Sequence, residues 1–300
     1  MAETLSTQEL SQLSPLEWVM PRSFISQILC FPSTNPRIYE VLRDGLAGTL
    51  ADVPYLASRI VARTHPKGSV ALSSPCDSLG DLFRVNDLAT TVDYNDLKAR
   101  GFQPSLFDGL DLFSADLNPA RDGNDTASDI CSMRIAVNCR SRYNPPLPKN
   151  YLGAAFGVSL VTAKKVDLMD IGRSSGETYS ISAIANVAAA IRQSVNVIDE
   201  DKMNTIVNHL SAQEDVTGLK LCEQPASVSI VSWADEGVYE LDWGIELGHC
   251  EVVRLPTFKT KRYPVVFPRL PNGDLEVLVS FDPELLNRWR AVHSVSPWKA

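Results

Sequence analysis

Apolar residues recur at the spacing of an amphipathic helix in three stretches of the chain. This periodicity predicts helices over residues 36–50, 181–195 and 199–212, the last of them capped by Asp199. Helices of this kind turn an apolar stripe towards a core. The stripe residues are Ile38, Val41, Leu42, Leu46 and Leu50 in the first helix and Ile181, Ile184, Val187, Ala188 and Ile191 in the second.

Runs rich in β-branched and aromatic residues, bounded by proline, glycine and polar clusters, predict strands between the helices. They cover residues 24–31, 60–62, 69–72, 132–139, 156–161, 227–233, 250–255, 264–267 and 275–281. Shorter helices are predicted over residues 94–100, closed by Gly101, and over residues 284–290. Strands and helices mix without strict alternation, which indicates an α/β fold of the mixed-sheet, α+β kind.

A polar segment without periodicity divides the chain. Residues 114–125 are rich in aspartate, asparagine, proline and glycine, which favour loops over helices or strands. We expect this loop to separate an N-terminal half, residues 1–118, from a C-terminal half, residues 128–300.

Composition narrows the class of protein. Of the 300 residues, 44% are hydrophobic and 21% are charged, which is ordinary for a soluble globular chain. The net charge of −8 argues against binding to nucleic acid, and no apolar run is long enough to cross a bilayer. Residues 1–13 lack the basic and apolar regions of a signal peptide. We therefore expect a soluble, cytoplasmic protein, a monomer with no membrane or nucleic-acid partner.

The cysteines and histidines offer no clear metal site or general base. The six cysteines are scattered without metal-ligand spacing, so reduced, buried thiols and no resident metal or cofactor are expected. Cys250 follows His249, but neighbouring strand residues point to opposite faces, which argues against a Cys–His pair. The other histidines lie in a Thr-His-Pro turn, near a helix end and in the C-terminal tail; they are His65, His209 and His293.

One motif of a different enzyme class is present. Residues 172–176, Gly-Arg-Ser-Ser-Gly, fit the GxSxG pattern of a hydrolase nucleophile elbow, with Ser174 as the nucleophile. The motif requires a buried strand before it, and residues 166–171 are too polar for a central strand. A serine hydrolase using Ser174 therefore stays open only as a weaker alternative.

Four segments carry a resemblance to a known family. They are residues 13–21 (LSPLEWVMP), residues 42–60 (LRDGLAGTLADVPYLASRI), residues 138–153 with the pattern NxRxR…PPLP…YxG, and residues 232–244, which end in Asp242-Trp243-Gly244. Together, and in this order, they resemble the fungal trichothecene 3-O-acetyltransferase-like members of the BAHD acyltransferase family. The resemblance implies a chloramphenicol-acetyltransferase-like fold, in which two halves enclose a channel.

The resemblance also implies an activity. Family members transfer an acyl group from acyl-CoA to a hydroxyl, and a histidine of an HxxxD motif takes the hydroxyl proton. We therefore expect an O-acyltransferase that uses acetyl-CoA or another acyl-CoA as co-substrate and acts on a small-molecule alcohol of fungal secondary metabolism. Asp242, Trp243 and Gly244 correspond to the family's DFGWG motif, which implies a structural role for them.

The sequence departs from the family at its catalytic motif. Four residues after the histidines stand Ser69, Gln213, Val253 and Pro297, so no HxxxD occurs. We assign no catalytic residue and expect an internally shortened chain that lacks the HxxxD-containing segment. By resemblance Arg140 would hold the aspartate of that motif. Since an unpaired buried guanidinium is costly, we expect Arg140 to be exposed or paired again.

Two functions therefore stay open. The chain is either an acyltransferase that works without the usual base, or a non-catalytic remnant or binding protein of the same family. Loss of a central block is also expected to leave apolar faces uncovered, which favours association.

Overall fold

A computed structural model describes residues 11–21, 25–75, 79–110, 112, 130–148, 151–172, 180–222, 224, 226–257 and 262–292. The chain forms two compact units. Unit 1 comprises Met1–Pro21, Ser58–Cys76 and Gly123–Ile230, and unit 2 comprises Arg22–Ala57, Asp77–Asp122 and Val231–Ala300. Each unit draws on chain from both sides of the expected boundary, and residues 119–127 lie outside the described part.

Seven helices and ten strands are found in the described residues. The strands are β1 (Ser11–Gln12), β2 (Ile28–Cys30), β3 (Ser58–Ala62), β4 (Val70–Pro75), β5 (Ile130–Asn138), β6 (Phe156–Lys164), β7 (Val228–Ser232), β8 (Val252–Arg254), β9 (Val265–Val266) and β10 (Val277–Leu278). The helices are α1 (Pro15–Trp18), α2 (Ile38–Asp52), α3 (Tyr94–Ala99), α4 (Lys165–Gly172), α5 (Ile181–Asn196), α6 (Glu200–Ser211) and α7 (Pro283–Val292).

Most predicted elements are confirmed, with shifted ends. The helices predicted over residues 36–50, 181–195 and 199–212 are α2, α5 and α6, and Asp199 caps α6 by accepting from the Lys202 amide. Gly101 follows α3 with φ +67°, as expected of a residue that closes a helix. The strand predicted over residues 24–31 is wrong in length, because only Ile28–Cys30 has a partner strand. The α+β expectation for the fold is met by this mixture of helices and sheets.

Unit 1 is built around a long antiparallel pair. β5 and β6 run side by side from the Ile130–Lys164 partners to the Asn138–Phe156 partners, and the start of β7 pairs parallel with β5. A buried cluster joins α1, β5, α6 and the turn before α6; it contains Leu16, Val137, Cys139, Ile198, Met203 and Leu210. A second small sheet, in the order β1-β4-β3, lies beside the buried residues Trp18, Val70 and Val216.

Unit 2 is centred on the short strand β8, which pairs antiparallel with β2. Its residues alternate between two buried clusters, because successive strand side chains point to opposite faces. Val252 packs with Cys30, Leu97, Phe102 and Phe107, whereas Val253 packs with Tyr239, Cys250, Leu255, Val265 and Phe267. The last two residues of β7 pair parallel with β9, and β9 pairs antiparallel with β10. Burial on both faces explains the two valines of β8, Val252 and Val253, whereas its third residue, Arg254, is charged.

A buried ion pair fixes β8 to the rest of unit 2. The Arg254 side chain is 4% exposed and donates to both carboxylate oxygens of Glu276, at 2.8 and 3.2 Å. It also donates to the carbonyl oxygens of Phe102, Val253 and Gly101, at 3.2, 2.8 and 3.4 Å. These five bonds match the five N–H donors of a guanidinium, so the buried charge is fully solvated by protein groups.

The expectation that helices α2 and α5 bury their apolar stripes is only partly met. No residue of α2 is buried, and Leu42 is 36% exposed. In α5 only Ala183 is buried, whereas Ile181 and Ile184 are 81% and 43% exposed. Periodicity predicts which residues share a face, but burial requires a second element on that face. For α2 the main packing partner is the 3₁₀ turn Pro54–Ala57 that follows it.

None of the described helices is by itself long and apolar enough to span a membrane, and α5 with α6 reaches that length and composition only as a pair bent by 55°.

Removal of the Glu276 carboxylate should destabilise unit 2. Glu276→Ala removes the carboxylate that accepts two of the hydrogen bonds of the buried Arg254 side chain, so we expect a loss of about 2–3 kcal/mol in the free energy of unfolding. Urea unfolding followed by fluorescence measures the change.

The matched control is Asp96→Ala, which removes the carboxylate of the exposed Arg100–Asp96 pair. Because exposed pairs contribute little, this variant should lose at most about 1 kcal/mol. Equal losses from the two variants would contradict the importance of the buried pair.

Candidate functional site

The Arg140 side chain bonds to backbone carbonyl groups within unit 1. It follows β5 in a 3₁₀ turn, Arg140–Arg142, and its guanidinium donates to the carbonyl oxygens of Tyr151 and Gly153 at 3.3 and 2.9 Å. A third bond, at 3.4 Å, goes to the side-chain oxygen of Asn138. The expectation that Arg140 is exposed or paired again is thus met by pairing with backbone. The arginine ties the end of β5 to the chain beyond the proline-rich loop.

Arg142 has a structural role that the sequence reasoning missed. Its guanidinium donates to the carbonyl oxygens of Val195 and Ile198, at 2.9 and 2.8 Å. These carbonyls belong to the last turn of α5 and to a residue just after the helix, where the negative end of the helix dipole favours a cation. The RxR pattern could have indicated that its two arginines bond to different acceptors. The sequence does not show that the acceptors of Arg142 lie at the end of α5.

The YxG pattern places the Tyr151 side chain against Gly153. The Tyr151 side chain folds back over Gly153, so that a Cβ added at Gly153 would lie 2.5 Å from the tyrosine hydroxyl. The next amide, that of Ala154, donates to Glu17 at 3.2 Å, and the same carboxylate accepts from the Ser14 amide at 2.6 Å. Two of the segments that carry the resemblance, residues 13–21 and 138–153, therefore contact each other.

Residues 242–249, here called the DWG loop, form a tight turn in unit 2. An Asp242 carboxylate oxygen accepts from the Gly244 amide at 3.0 Å, and the Trp243 amide donates to the Gly248 carbonyl at 2.9 Å. Asp242 and His249 are partners in an isolated antiparallel bridge. Gly244 has φ +91°, a conformation that favours glycine, which explains the residue type at this position.

The DWG loop is fastened to the chain after β2. The Trp243 ring meets the Phe31 ring edge-on, with 5.5 Å between centroids. The Ser33 hydroxyl donates to the Glu246 carbonyl at 2.6 Å. All of these contacts of Asp242, Trp243 and Gly244 lie within unit 2, and Trp243 remains 37% exposed.

The histidines considered as general bases lie on different elements of the fold. Among those that the structure describes, one has a ring hydrogen bond. His65 and His209 are exposed, and no ring hydrogen bond is found for either among the described residues. The Nδ1 of His249 lies 3.0 Å from the Leu241 carbonyl oxygen, which can only accept, so this hydrogen bond forms in the tautomer that has its proton on Nδ1. His249 is exposed while Cys250 is buried, which confirms that the two side chains point to opposite sides. His293 lies outside the described residues.

The context of the GxSxG motif does not fit a hydrolase. The residues before it form helix α4, Lys165–Gly172, where a nucleophile elbow requires a strand. Ser174 itself lies outside the described residues. The prediction that residues 166–171 form no central strand is confirmed.

Burial keeps two thiols of unit 2 protonated. Burial raises the pKa of the Cys30 thiol to about 11, and neighbouring Cys250 adds to the shift. Burial also raises the pKa of Cys250. Since the thiolate is the nucleophilic form, neither residue is suited to covalent catalysis. Within the described part of the chain, no group of three or more His, Cys, Asp or Glu side chains could hold a metal ion.

Comparison with known proteins identifies the family. The model of the Transferase family matches residues 119–291, a stretch that includes Arg140 and the DWG loop. The chain belongs to this family, the BAHD-like acyltransferases indicated by the sequence resemblance.

Two of the similar curated proteins are named as fungal O-acetyltransferases. The chain is 27% identical over 156 residues to the O-acetyltransferase ptmV of Penicillium ochrochloron, covering 47% of this chain and 31% of that protein. It is 25% identical over 195 residues to the fumigaclavine B O-acetyltransferase easN of Aspergillus fumigatus, covering 58% of this chain and 39% of that protein. The chain thus spans well under half the length of these curated relatives.

A solved structure has a similar fold. TRI101 of F. graminearum, in complex with coenzyme A and T-2 mycotoxin, superposes with a TM-score of 0.71 at 14% identity. The match covers 94% of this chain and 97% of that chain. This likeness confirms the expected fold.

Gly244→Ala should destabilise the DWG loop. A Cβ at φ +91° strains the backbone, so we expect a loss of about 1–2 kcal/mol in the free energy of unfolding, measured by urea denaturation. Gly48→Ala in α2 is the control, because its added Cβ meets nothing within 4 Å and alanine favours a helix by about 0.5–1 kcal/mol. A neutral or stabilising Gly244→Ala would contradict the strained turn.

Cys30 should react slowly with iodoacetamide. With a pKa of about 11, its thiolate fraction at about pH 8 is roughly 100-fold below that of an unperturbed thiol. Labelling followed by peptide mass spectrometry should give a rate that rises about tenfold per pH unit towards that pKa. The half-buried Cys222 serves as the internal comparison, and equal rates in folded protein would contradict the shift.

Proposed function

We propose that this protein transfers an acyl group from acyl-CoA to the hydroxyl of a small-molecule alcohol. The observation that carries the proposal is the family match over residues 119–291. Its support is the fold shared with TRI101, which was solved with coenzyme A and T-2 mycotoxin. In this reaction the alcohol oxygen bonds to the thioester carbonyl carbon, the carbon–sulfur bond breaks, and the hydroxyl proton ends on the released thiol.

The finer assignment is an O-acetyltransferase that uses acetyl-CoA on an alcohol of fungal secondary metabolism. It is supported by relatives named as fungal O-acetyltransferases, among them one for fumigaclavine B. No permanently bound cofactor is part of this proposal. A cytoplasmic location also remains a prediction from the sequence.

In this proposal Arg140, Asp242, Trp243 and Gly244 stabilise the fold and take no part in the acyl transfer itself. Arg140 bonds to carbonyl oxygens after the proline-rich loop, and Asp242 bonds to the Gly244 amide. Trp243 contacts Phe31. Each contact is made to backbone or to an apolar ring, which is the pattern of residues that shape a fold.

A second candidate function is binding of acyl-CoA without turnover. The observation that favours it is that no histidine in the sequence is followed by aspartate at the fourth position. A positioned general base contributes about 10²–10⁴-fold to such a reaction, so an enzyme without one would be slow.

Two measurements on the purified 300-residue protein separate these functions. Isothermal titration with acetyl-CoA detects binding, and release of free thiol in the presence of an acceptor alcohol detects transfer. Acceptor-dependent release above that of heat-denatured protein supports the enzyme, and binding alone supports the second candidate. If folded protein neither binds nor turns over acetyl-CoA or longer acyl-CoA, both are rejected.

The transcript provides an independent test of the shortened chain. RNA from the source organism that joins the codons for residues 111–132 without additional codons would support a shortened chain. Additional in-frame codons that encode HxxxD would instead identify a longer, conventional enzyme.

A further inference from the structure

The sheet of unit 1 is covered on one face and open on the other. Successive residues of a strand point to opposite faces, and in β5 the side chains of Ile135 and Val137 pack into the cluster with α1 and α6. Arg134 and Ala136 therefore lie on the other face. Ala136 is exposed although β5 lies between β6 and β7, so nothing in the described part of the chain covers the middle of this face.

Two apolar side chains and one hydroxyl complete this face. Leu160 and Val158 of β6 are the antiparallel partners of Arg134 and Ala136, and Ser229 of β7 is the parallel partner of Arg134. Residues that are paired directly point to the same face of a sheet. All three partners are half-buried, and the Ser229 hydroxyl forms no hydrogen bond with a described residue. These five residues are here called the open face.

Arg134 is a cation without a counter-ion in the described part of the chain. Its Nη2 donates to the Gln224 carbonyl at 2.6 Å, and this is its one hydrogen bond there. Its Nε is buried and has no acceptor. The guanidinium of Arg254, by comparison, is paired with the carboxylate of Glu276. Since a guanidinium has five N–H donors and buried donors are nearly always paired, Arg134 retains donors for an acceptor from another molecule.

We propose that the open face binds a small amphipathic carboxylate, which pairs its carboxylate with Arg134 and lays its hydrocarbon chain across the apolar part of the face. Arginine pairs with a carboxylate through two parallel N–H···O bonds, and this planar match favours a carboxylate. Because Nε is buried, the two bonds come from Nη1 and from the second N–H of Nη2. The Ser229 hydroxyl, beside Arg134 on the neighbouring strand, is placed to donate a third bond.

Charge and polarity of the open face select this class of ligand. None of its five residues is acidic, so an anion meets no repulsion from them, whereas an organic cation meets the charge of Arg134. Ala136, Val158 and Leu160 are apolar and adjacent, so a hydrocarbon chain attached to the carboxylate is removed from water there. An inorganic anion would use the charge alone.

The affinity should be modest, because a ligand on a sheet face is covered on one side only. For decanoate, used as the probe, we expect a Kd of about 0.1–1 mM. Each methylene removed should weaken binding by about two- to fourfold, so octanoate should bind about four- to sixteenfold more weakly. The proposal does not rest on the proposed acyl transfer, since neither acyl-CoA nor an acceptor alcohol takes part.

Equilibrium dialysis of the 300-residue protein against decanoate, at about pH 7.5 where the carboxylate is ionised, tests the role of the charge. Arg134→Met removes the cation and should raise the Kd at least about tenfold. Arg192→Met, which removes an exposed arginine of α5, should leave the Kd within about twofold. Decyltrimethylammonium, with the same chain and the opposite charge, should bind at least about tenfold more weakly than decanoate. Equal affinity of Arg134→Met and the original protein for decanoate would overturn the proposal.

Protection of an introduced cysteine locates the ligand while the arginine is kept. At a decanoate concentration of about ten times its Kd, iodoacetamide should label Ala136→Cys about tenfold more slowly, because the ligand covers that position. Ala185→Cys, at an exposed position of α5, should be labelled at an unchanged rate. Peptide mass spectrometry gives both rates, and the result decides the proposal even if Arg134→Met fails to fold. Equal protection of the two cysteines, or none at Ala136→Cys, means that decanoate does not bind the open face.

Discussion

The buried guanidinium of Arg254 determines how the segments of unit 2 fit together. Moving a charge out of water is costly, and the cost is offset only if every donor finds an acceptor. Arg254 meets this condition with Glu276, its own strand, and the carbonyls of Gly101 and Phe102. Phe102 is a buried residue with φ +52°, a strained conformation for a non-glycine residue. The bond to its carbonyl is one of the contacts that hold it there, so the ion pair and the strained turn depend on each other.

Unit 1 uses charged side chains in the same way. Arg140, Arg142 and Glu17 all bond to backbone groups in loops or at a helix end. A side chain that captures a carbonyl or an amide must reach it from one fixed place in the chain. In unit 1, Arg140, Arg142 and Glu17 thus each complete the backbone hydrogen bonding of a neighbouring segment.

The sequence predicts where helices and strands form more accurately than it predicts which side chains are buried. Helices α5 and α6 are predictable because Ser180 and Asp199 cap them and their apolar periodicity is clear. The exposure of Ile181 is not predictable, since it depends on whether another element covers that face. The ion pair of Arg254 escapes sequence reasoning for a similar reason. Glu276 is distant in sequence, and no local pattern marks either residue as buried. Among the site residues, the pairing of Arg140 could be expected from the cost of an unpaired cation, but its acceptors could not.

Fold and chemistry are separable in this chain. The motifs that identify the family are held by bonds within one unit or the other: Arg140 to Gly153, Asp242 to Gly244, Trp243 to Phe31. None of these bonds involves a general base, so they persist whether or not the chain supplies one. The residues that carry the family resemblance therefore stabilise the fold. Catalysis depends on other side chains, which these contacts do not position. Of the described histidine rings, only that of His249 is oriented by a hydrogen bond, and this bond too is made to backbone, at Leu241. The motif contacts therefore do not by themselves establish turnover, which an acyl-transfer assay measures directly.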